Sequence, residues 1–319
     1  MPVPERPDGG KDRRSAVLIA GPTASGKSAF ASAIGRKHPA VIINADSMQV
    51  YRDLSILTSR PTLGEIDAVP HCLYGHVDAS ETYSVARWLR EAEQAIGAAW
   101  AAQRLPVIIG GTGLYFRALE RGLADIPPIP ESIRLKWRSA LREEGSVALH
   151  RILCERDPQT AASIRPSDSQ RIVRALEVLD TTGQGLRQWH GDHRGARLLD
   201  DRVCIVRLLL TPRRDQLYQA IDRRFVQMIE TGALEEVRAL SARGLPSSLP
   251  AMKAIGVAEL TAVIEGHMSL DDAIARAQLR TRRYAKRQMT WFRNQMASWS
   301  AIERPDPSQT ESLLQSLAL

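Results

Sequence analysis

Cysteine is scarce in this chain of 319 residues: only Cys72, Cys154 and Cys204 occur, far apart and odd in number. That excludes a disulfide framework and a zinc knuckle, and it points to a reducing, cytoplasmic compartment. Long apolar runs are also missing. No stretch approaches the roughly 18–20 residues that a transmembrane helix needs, so a membrane protein is excluded. Before Ala16 the sequence is polar and rich in proline and glycine, which reads as a flexible leader over residues 1–14 rather than a secretory signal. No repeat recurs at a solenoid period.

What is present is an ordinary globular composition, 44% hydrophobic and 25% charged, with ample apolar mass for a core. Lysine and arginine total 43 against 36 acidic residues, a net charge of +7. That balance is compatible with a polyanionic partner without establishing one.

Short apolar runs at residues 15–20, 41–45, 106–109 and 203–210 have the pattern of buried parallel strands. Helical spacing at 27–37 and 84–102 alternates with them, predicting an α/β domain with a parallel sheet like that of P-loop NTPases. Residues 124–201 open with a proline-rich turn and hold only helical patterns, clearest at 134–144, 146–155 and 167–179. We read them as a helical insertion. After residue 210 the chain reads as wholly helical, at 213–230, 233–243 and 269–299. The expected organisation is a core of 15–123 with 202–299, the insertion 124–201, and a tail 300–319.

Gly21-Pro22-Thr23-Ala24-Ser25-Gly26-Lys27-Ser28 matches G-x-x-x-x-G-K-[ST], placed after a strand and before a helix. Glycines turn backbone N–H groups toward one point, the helix N-terminus adds partial positive charge, and Lys27 adds a mobile cation. The Ser28 hydroxyl suits a Mg²⁺ ligand. Asp46 ends the second strand, where the ligand crevice of an open α/β sheet lies. Its carboxylate there is a metal ligand, a base or a helix cap. The third strand runs into Gly110-Gly111-Thr112 without the second acid usual in P-loop ATPases, which disfavours ATP hydrolysis. That turn either lets backbone amides approach a ligand or simply joins strand to helix.

Two basic segments follow. Arg171 and Arg174 lie three apart on one helix, whose apolar face holds Ile172 and Ala175. Between residues 271 and 299, seven basic side chains are interleaved with Tyr284, Trp291 and Phe292. Such a helix suits phosphate backbones and stacked bases, but its charge recurs on more than one face.

The blocks GPTASGKS, ADSMQVYRDL, GGTGLYFRAL, QRIVRALEV, DRRFVQMIETG and RRYAKRQMTWFR occur in the order found in bacterial tRNA dimethylallyltransferases, and the chain resembles that family over residues 16–299. The resemblance implies transfer of a dimethylallyl group from its diphosphate to N6 of adenosine 37, beside the tRNA anticodon, giving N6-(dimethylallyl)adenosine. It implies Asp46 as general base, residues 23–28 as the diphosphate loop, Thr112 where the two substrates meet, and Arg224 neutralising the diphosphate. It implies tRNA contacts from Asp46, Ser47, Met48, Gln49, Thr112, Arg134, Gln170, Arg171, Ile172, Val173 and Arg174. Expected partners are the tRNA anticodon stem-loop and dimethylallyl diphosphate, with Mg²⁺ as cofactor and the chain a monomer. The family pattern T-A-K-P is replaced here by Thr58-Ser59-Arg60-Pro61, and I-G-Y by Ile255-Gly256-Val257.

A small-molecule kinase with Asp46 as base, an RNA-binding nucleotide switch, and a prenyltransferase acting on free adenosine phosphates share the P-loop. The long insertion favours a macromolecular acceptor.

Overall fold

The computed structural model describes residues 14–192, 199, 202–304, 306, 312 and 315. Packing divides the chain into two compact units, residues 1–120 with 198–319, and residues 121–197. Residues 1–13 of the expected leader and most of the expected tail lie outside the described residues.

In chain order the first unit contains β1 (Ser15–Ala20), α1 (Lys27–Lys37), β2 (Ala40–Asn44), α2 (Leu63–Ala68), β3 (His71–Cys72), α3 (Val85–Ala101), β4 (Leu105–Gly110) and α4 (Gly113–Arg121). Within the second unit are α5 (Glu131–Arg156), α6 (Pro158–Ala161), α7 (Ser169–Thr182) and α8 (Leu186–Asp192). The first unit resumes with β5 (Cys204–Leu210), α9 (Arg214–Glu230), α10 (Ala233–Ala242), α11 (Val257–Ile264), α12 (Leu270–Gln295) and β6 (Ser300–Ile302).

All six strands pair in parallel, in the order β3-β2-β4-β1-β5-β6. Alternation along β1 sends Ala16, Leu18 and Ala20 to one buried face and Val17 and Ile19 to the other. Trp88 and Ile96 of α3, with Phe116 of α4, cover the first face; Phe30 and Ile34 of α1 cover the second. Both faces are therefore dry, which is why these strands read as unbroken apolar runs. A further apolar cluster joins Leu57, Phe225, Met228, Val237, Val257, Leu260 and Ala277.

The α/β architecture agrees with the sequence reading, but the sheet is wider. The region after residue 210 is not wholly helical: Ser300, Ala301 and Ile302 pair with β5 as an edge strand. That strand corrects the expected tail at its first residues. With three residues and mostly exposed side chains, it carries no periodicity to read. β3, at the opposite edge, has only two residues and escapes a sequence reading for the same reason.

The second unit has its own core of Trp137, Leu149, Leu153, Ile172, Val173 and Leu176. Gly145, with φ of 81° and ψ of 168°, breaks α5 into the two helices expected on either side of it. The Asp180 carboxylate accepts from Lys136 Nζ, Trp137 Nε1 and Arg156 Nη2, tying α5 to α7.

Candidate active site

The strands β2, β4 and β1 are consecutive in the sheet, so the loops at their carboxyl ends are neighbours. Those loops carry Asp46, Gly111 with Thr112, and the P-loop. This is the crevice position that open α/β sheets use for ligands.

In the P-loop, Ala24 has φ of 61° and Gly26 has φ of 87°, so the backbone curls through the left-handed region before α1 begins at Lys27. Lys27 Nζ donates to the Pro22 carbonyl at 2.6 Å. Burial lowers its pKa to about 8; the Asp46 carboxylate opposes that shift and the Arg224 guanidinium adds to it. Ser28 is exposed on the first turn of α1. Gly21 leaves no space for a side chain, because a Cβ there would lie 2.9 Å from Ser25 Oγ.

Asp46 is held by its neighbour Asn44, which is fully buried. Asn44 Oδ1 accepts from Asp46 N at 2.8 Å, and Asn44 Nδ2 donates to Asp46 O and Leu73 O. Asp46 Oδ1 accepts from Met48 N at 2.9 Å, closing a turn through its own side chain. No helix follows before Thr62, so the helix-cap reading of Asp46 is discarded.

Thr112 lies behind this segment. Its hydroxyl accepts from Ser47 N at 3.0 Å and donates to Ser47 Oγ, while Thr112 N donates to Ala45 O. Gln49 uses its amide on the carbonyls of Thr58 and Ser59, and Met48 packs against the apolar cluster around Leu57.

The glycines of the β4 turn make room for protein. A Cβ on Gly110 would lie 2.0 Å from Ala45 O, one on Gly111 2.2 Å from Gln288 Nε2, and one on Gly113 2.1 Å from the Trp291 ring. The turn is glycine-rich so that α12 and the Asp46 segment can close on it.

Arg224 of α9 reaches the P-loop, donating from Nη2 to Thr23 Oγ1 at 2.6 Å. Burial lowers its pKa, against the pull of the Asp46 charge. Thr23, Asp46, Ser47, Met48 and Arg224 share the wall of a cavity of about 530 Å³. Lys253, Arg280, Arg283 and Arg287 add cationic lining; Leu57, Ile221, Phe225 and Met228 add an apolar wall. The phenol of Tyr284 also faces the cavity, its pKa raised by burial and then by the Asp46 charge.

The sequence reading assigns none of these α12 residues to the site, because the charge of the helix recurs on more than one face. The structure divides its charge. Arg280 lines the cavity while paired with Glu259, Arg282 pairs with Asp222, and Arg283 and Arg287 also line the cavity. The legible signal was Tyr284, Gln288 and Trp291 at spacings of four and three, one helix face carrying polar and aromatic groups.

The remaining candidates belong to the helical unit. Gln170, Arg171 and Arg174 are exposed and Arg134 is half-buried; Arg134 lies close enough for its charge to lower the pKa of Arg174, after burial. Their ion pairs are loose, at 3.5 Å for Arg171 with Asp168 and 3.9 Å for Arg174 with Glu177. Ile172 and Val173 are a correction. Both side chains are buried in the unit's own core, at 0% and 8% exposure, so neither offers a surface for RNA.

A divalent cation fits this donor set in one way. Among the described residues no three His, Cys, Asp or Glu side chains converge as a metal cage. An exposed hydroxyl at Ser28 and a carboxylate at Asp46 suit Mg²⁺ held mainly by phosphate oxygens and water. No helix among the described residues is long and apolar enough to cross a membrane.

The family model "IPP transferase" matches residues 49–295, and "Isopentenyl transferase" matches 14–73. A tRNA dimethylallyltransferase of Chelativorans sp. is 52% identical over 89% of this chain and 96% of its own length. That of Azorhizobium caulinodans is 54% identical over 89% of this chain and 90% of its own length. Among solved structures, the tRNA isopentenylpyrophosphate transferase of Bacillus halodurans superposes with a TM-score of 0.67 at 33% identity, covering 96% of this chain and 97% of that one. A eukaryotic dimethylallyltransferase, captured in snapshots acting on tRNA, superposes with a TM-score of 0.79 at 28% identity, covering 96% and 77%.

Proposed function

This chain belongs to the IPP transferase family, and from that premise we propose that it moves a dimethylallyl group from dimethylallyl diphosphate to N6 of adenosine 37 in tRNA. One observation carries the reading: a single cavity joins the P-loop side of Thr23 and Arg224, an apolar wall of Leu57, Phe225 and Met228, and the Asp46 carboxylate. Anion, prenyl chain and base each have a matching surface there.

In the proposed reaction the N6 lone pair attacks C1 of the donor. The N6–C1 bond forms, the C1–O bond breaks, diphosphate leaves, and the N6 proton passes to Asp46. The exocyclic amine is a poor nucleophile, so proton removal as the bond forms is the step that general-base catalysis assists. Lys27, Arg224 and the P-loop amides offset the charge growing on the leaving oxygens. Ser28 would hold Mg²⁺, which supplies further countercharge to the diphosphate when bound. Thr112 fixes Ser47, and Asn44 fixes Asp46, so the base is aimed before substrate arrives.

Thr23 through Ser28 bind the diphosphate in this reading. Arg134, Gln170, Arg171 and Arg174 take RNA phosphates, and Ser47 and Met48 line the entrance to the acceptor. Adenosine 37 must leave its stack to reach Asp46, which fits a loop rather than a duplex. With tRNA as acceptor, the enzyme works in the cytoplasm. The decisive test is mass spectrometry of nucleosides from tRNA incubated with the protein, Mg²⁺ and dimethylallyl diphosphate. The expected product is an adenosine heavier by C5H8 at position 37. Transfer only to free adenosine phosphates, or ATP turnover dependent on Lys27, would overturn the proposal.

A further inference from the structure

Gln288 sits at 6% exposure in the middle of α12, a buried amide in a helix otherwise dominated by arginine. Both ends of that amide are engaged. Its Oε1 accepts from the Thr23 backbone N–H at 3.0 Å, and its Nε2 donates to the Gly111 carbonyl at 2.9 Å. Gly111 lacks a side chain where Gln288 passes, since a Cβ would lie 2.2 Å from Nε2. One turn earlier, Tyr284 faces the cavity; one turn later, Trp291 lies against Gly113. A single helix face therefore spans the P-loop, the β4 turn and the cavity.

We propose that Gln288 is a positioning residue that fixes the leaving-group loop relative to the loop that orients the acceptor. Thr23 receives Arg224 through its hydroxyl and Gln288 through its amide, so its place depends on both helices. Gly111 precedes Thr112, which holds Ser47 beside Asp46. The bridge thus sets the separation between the diphosphate and the base without touching either substrate. A glutamine suits this task because one planar amide offers a donor and an acceptor in fixed opposition. A hydrocarbon of the same length would leave the Thr23 N–H and the Gly111 carbonyl to find other partners, and the two loops would lose their common reference.

This inference rests on the proposed reaction, but part of its test does not. In Gln288→Met the Thr23 amide should lose protection in hydrogen exchange, a readout that needs no turnover. Retained protection would overturn the bridge, whatever the activity. The second measurement is the single-turnover rate with donor and tRNA both saturating, taken as a ratio to wild type. Misplacing reacting groups by about 1 Å costs on the order of 10²-fold, so that loss is expected in the rate of the bound complex. Separate dissociation constants for donor and tRNA should change by no more than about threefold, because no substrate contact is removed. A bound complex reacting within about threefold of wild type would overturn the proposal.

If Gln288→Met fails to fold, Gln288→Glu carries the test. Its carboxylate still accepts from Thr23 N but repels the Gly111 carbonyl until it is protonated. The rate ratio to wild type should therefore rise as pH falls, and a ratio independent of pH would overturn the proposal. Absence of transfer in the wild type would count against the proposed reaction alone, since the exchange measurement stands apart from it.

Discussion

Arg224 and Thr23 are 201 positions apart in sequence, yet the guanidinium of one donates to the hydroxyl of the other at 2.6 Å. The contact ties α9 to the P-loop and aims a half-buried cation at the place where a diphosphate would sit. Arg224→Ala removes that cation and the anchor of Thr23 together. The expected loss is about 10²–10³-fold in kcat, the scale of deleting one donor to developing negative charge. Thr23→Val, which keeps the shape but not the acceptor, should lose less. Steady-state kinetics with varied donor will show whether the order holds.

Asp46 separates two remaining roles. If it takes the N6 proton, Asp46→Asn should lower kcat by about 10²–10⁴-fold, roughly 3–5 kcal/mol, with tRNA affinity little changed. The amide can still accept from Met48 N, so thermal stability should hold. If Asp46 acts mainly on Mg²⁺, the loss will instead track metal and donor concentration and be relieved by raising both.

Gly113→Ala tests how closely α12 is seated. The new methyl would fall 2.1 Å from the Trp291 ring, a rigid aromatic with no flexible end to give way. Overpacking of this kind costs about 1–3 kcal/mol. Gly97→Ala in α3, where the space is open, should be neutral or slightly stabilising. Denaturant midpoints of the two variants would decide the comparison.

The parallel sheet was legible because its central strands are buried on both faces and so read as unbroken apolar runs. The P-loop was legible because its spacing is local. Asp46 could be placed beside it from strand ends alone. What sequence could not show is which partners arrive from far along the chain. Gln288 is 177 positions from Gly111, and nothing local says that its amide turns inward while Arg287 beside it lines the cavity. The glycines of the β4 turn illustrate the same limit: their spacing signals close approach, but only packing shows that Trp291 and Gln288 make it. Ile172 and Val173 mark the converse error. A segment taken whole as RNA-contacting alternates, at helical period, between exposed Gln170, Arg171 and Arg174 and a buried apolar side.

Arg171 and Arg174 should report on RNA through salt. Deleting a cation that neutralises one RNA phosphate lowers the slope of log K against log salt by about 0.7–0.9. Replacing both with Ala should weaken tRNA binding most at low salt and flatten that slope, leaving Mg²⁺-dependent donor binding alone. Filter binding across a salt series is sufficient. An unchanged slope would return this face of α7 to ordinary solvated surface.

Lys27 makes the pH behaviour of the site predictable. In the folded protein burial brings its pKa to about 8, against 10.5 for a free lysine side chain. Between those two values the unfolded chain holds more protons than the folded one, so the contribution of this group to stability rises with pH across that window. Below about pH 8 both states are protonated and the full cost of burying the charge is present. Lys27→Met removes that cost. The ligand-free variant should therefore melt above wild type at neutral pH, and its advantage should shrink as pH passes through the window. Diphosphate reverses the balance, because its charge favours the protonated amine. Donor binding in the window should accordingly take up protons and weaken as pH rises. Calorimetry in two buffers of different ionisation heat measures that uptake, and Lys27→Met should reduce it. If wild type and variant show the same pH dependence of melting between about 8 and 10.5, Lys27 is not the buried titrating cation of the site.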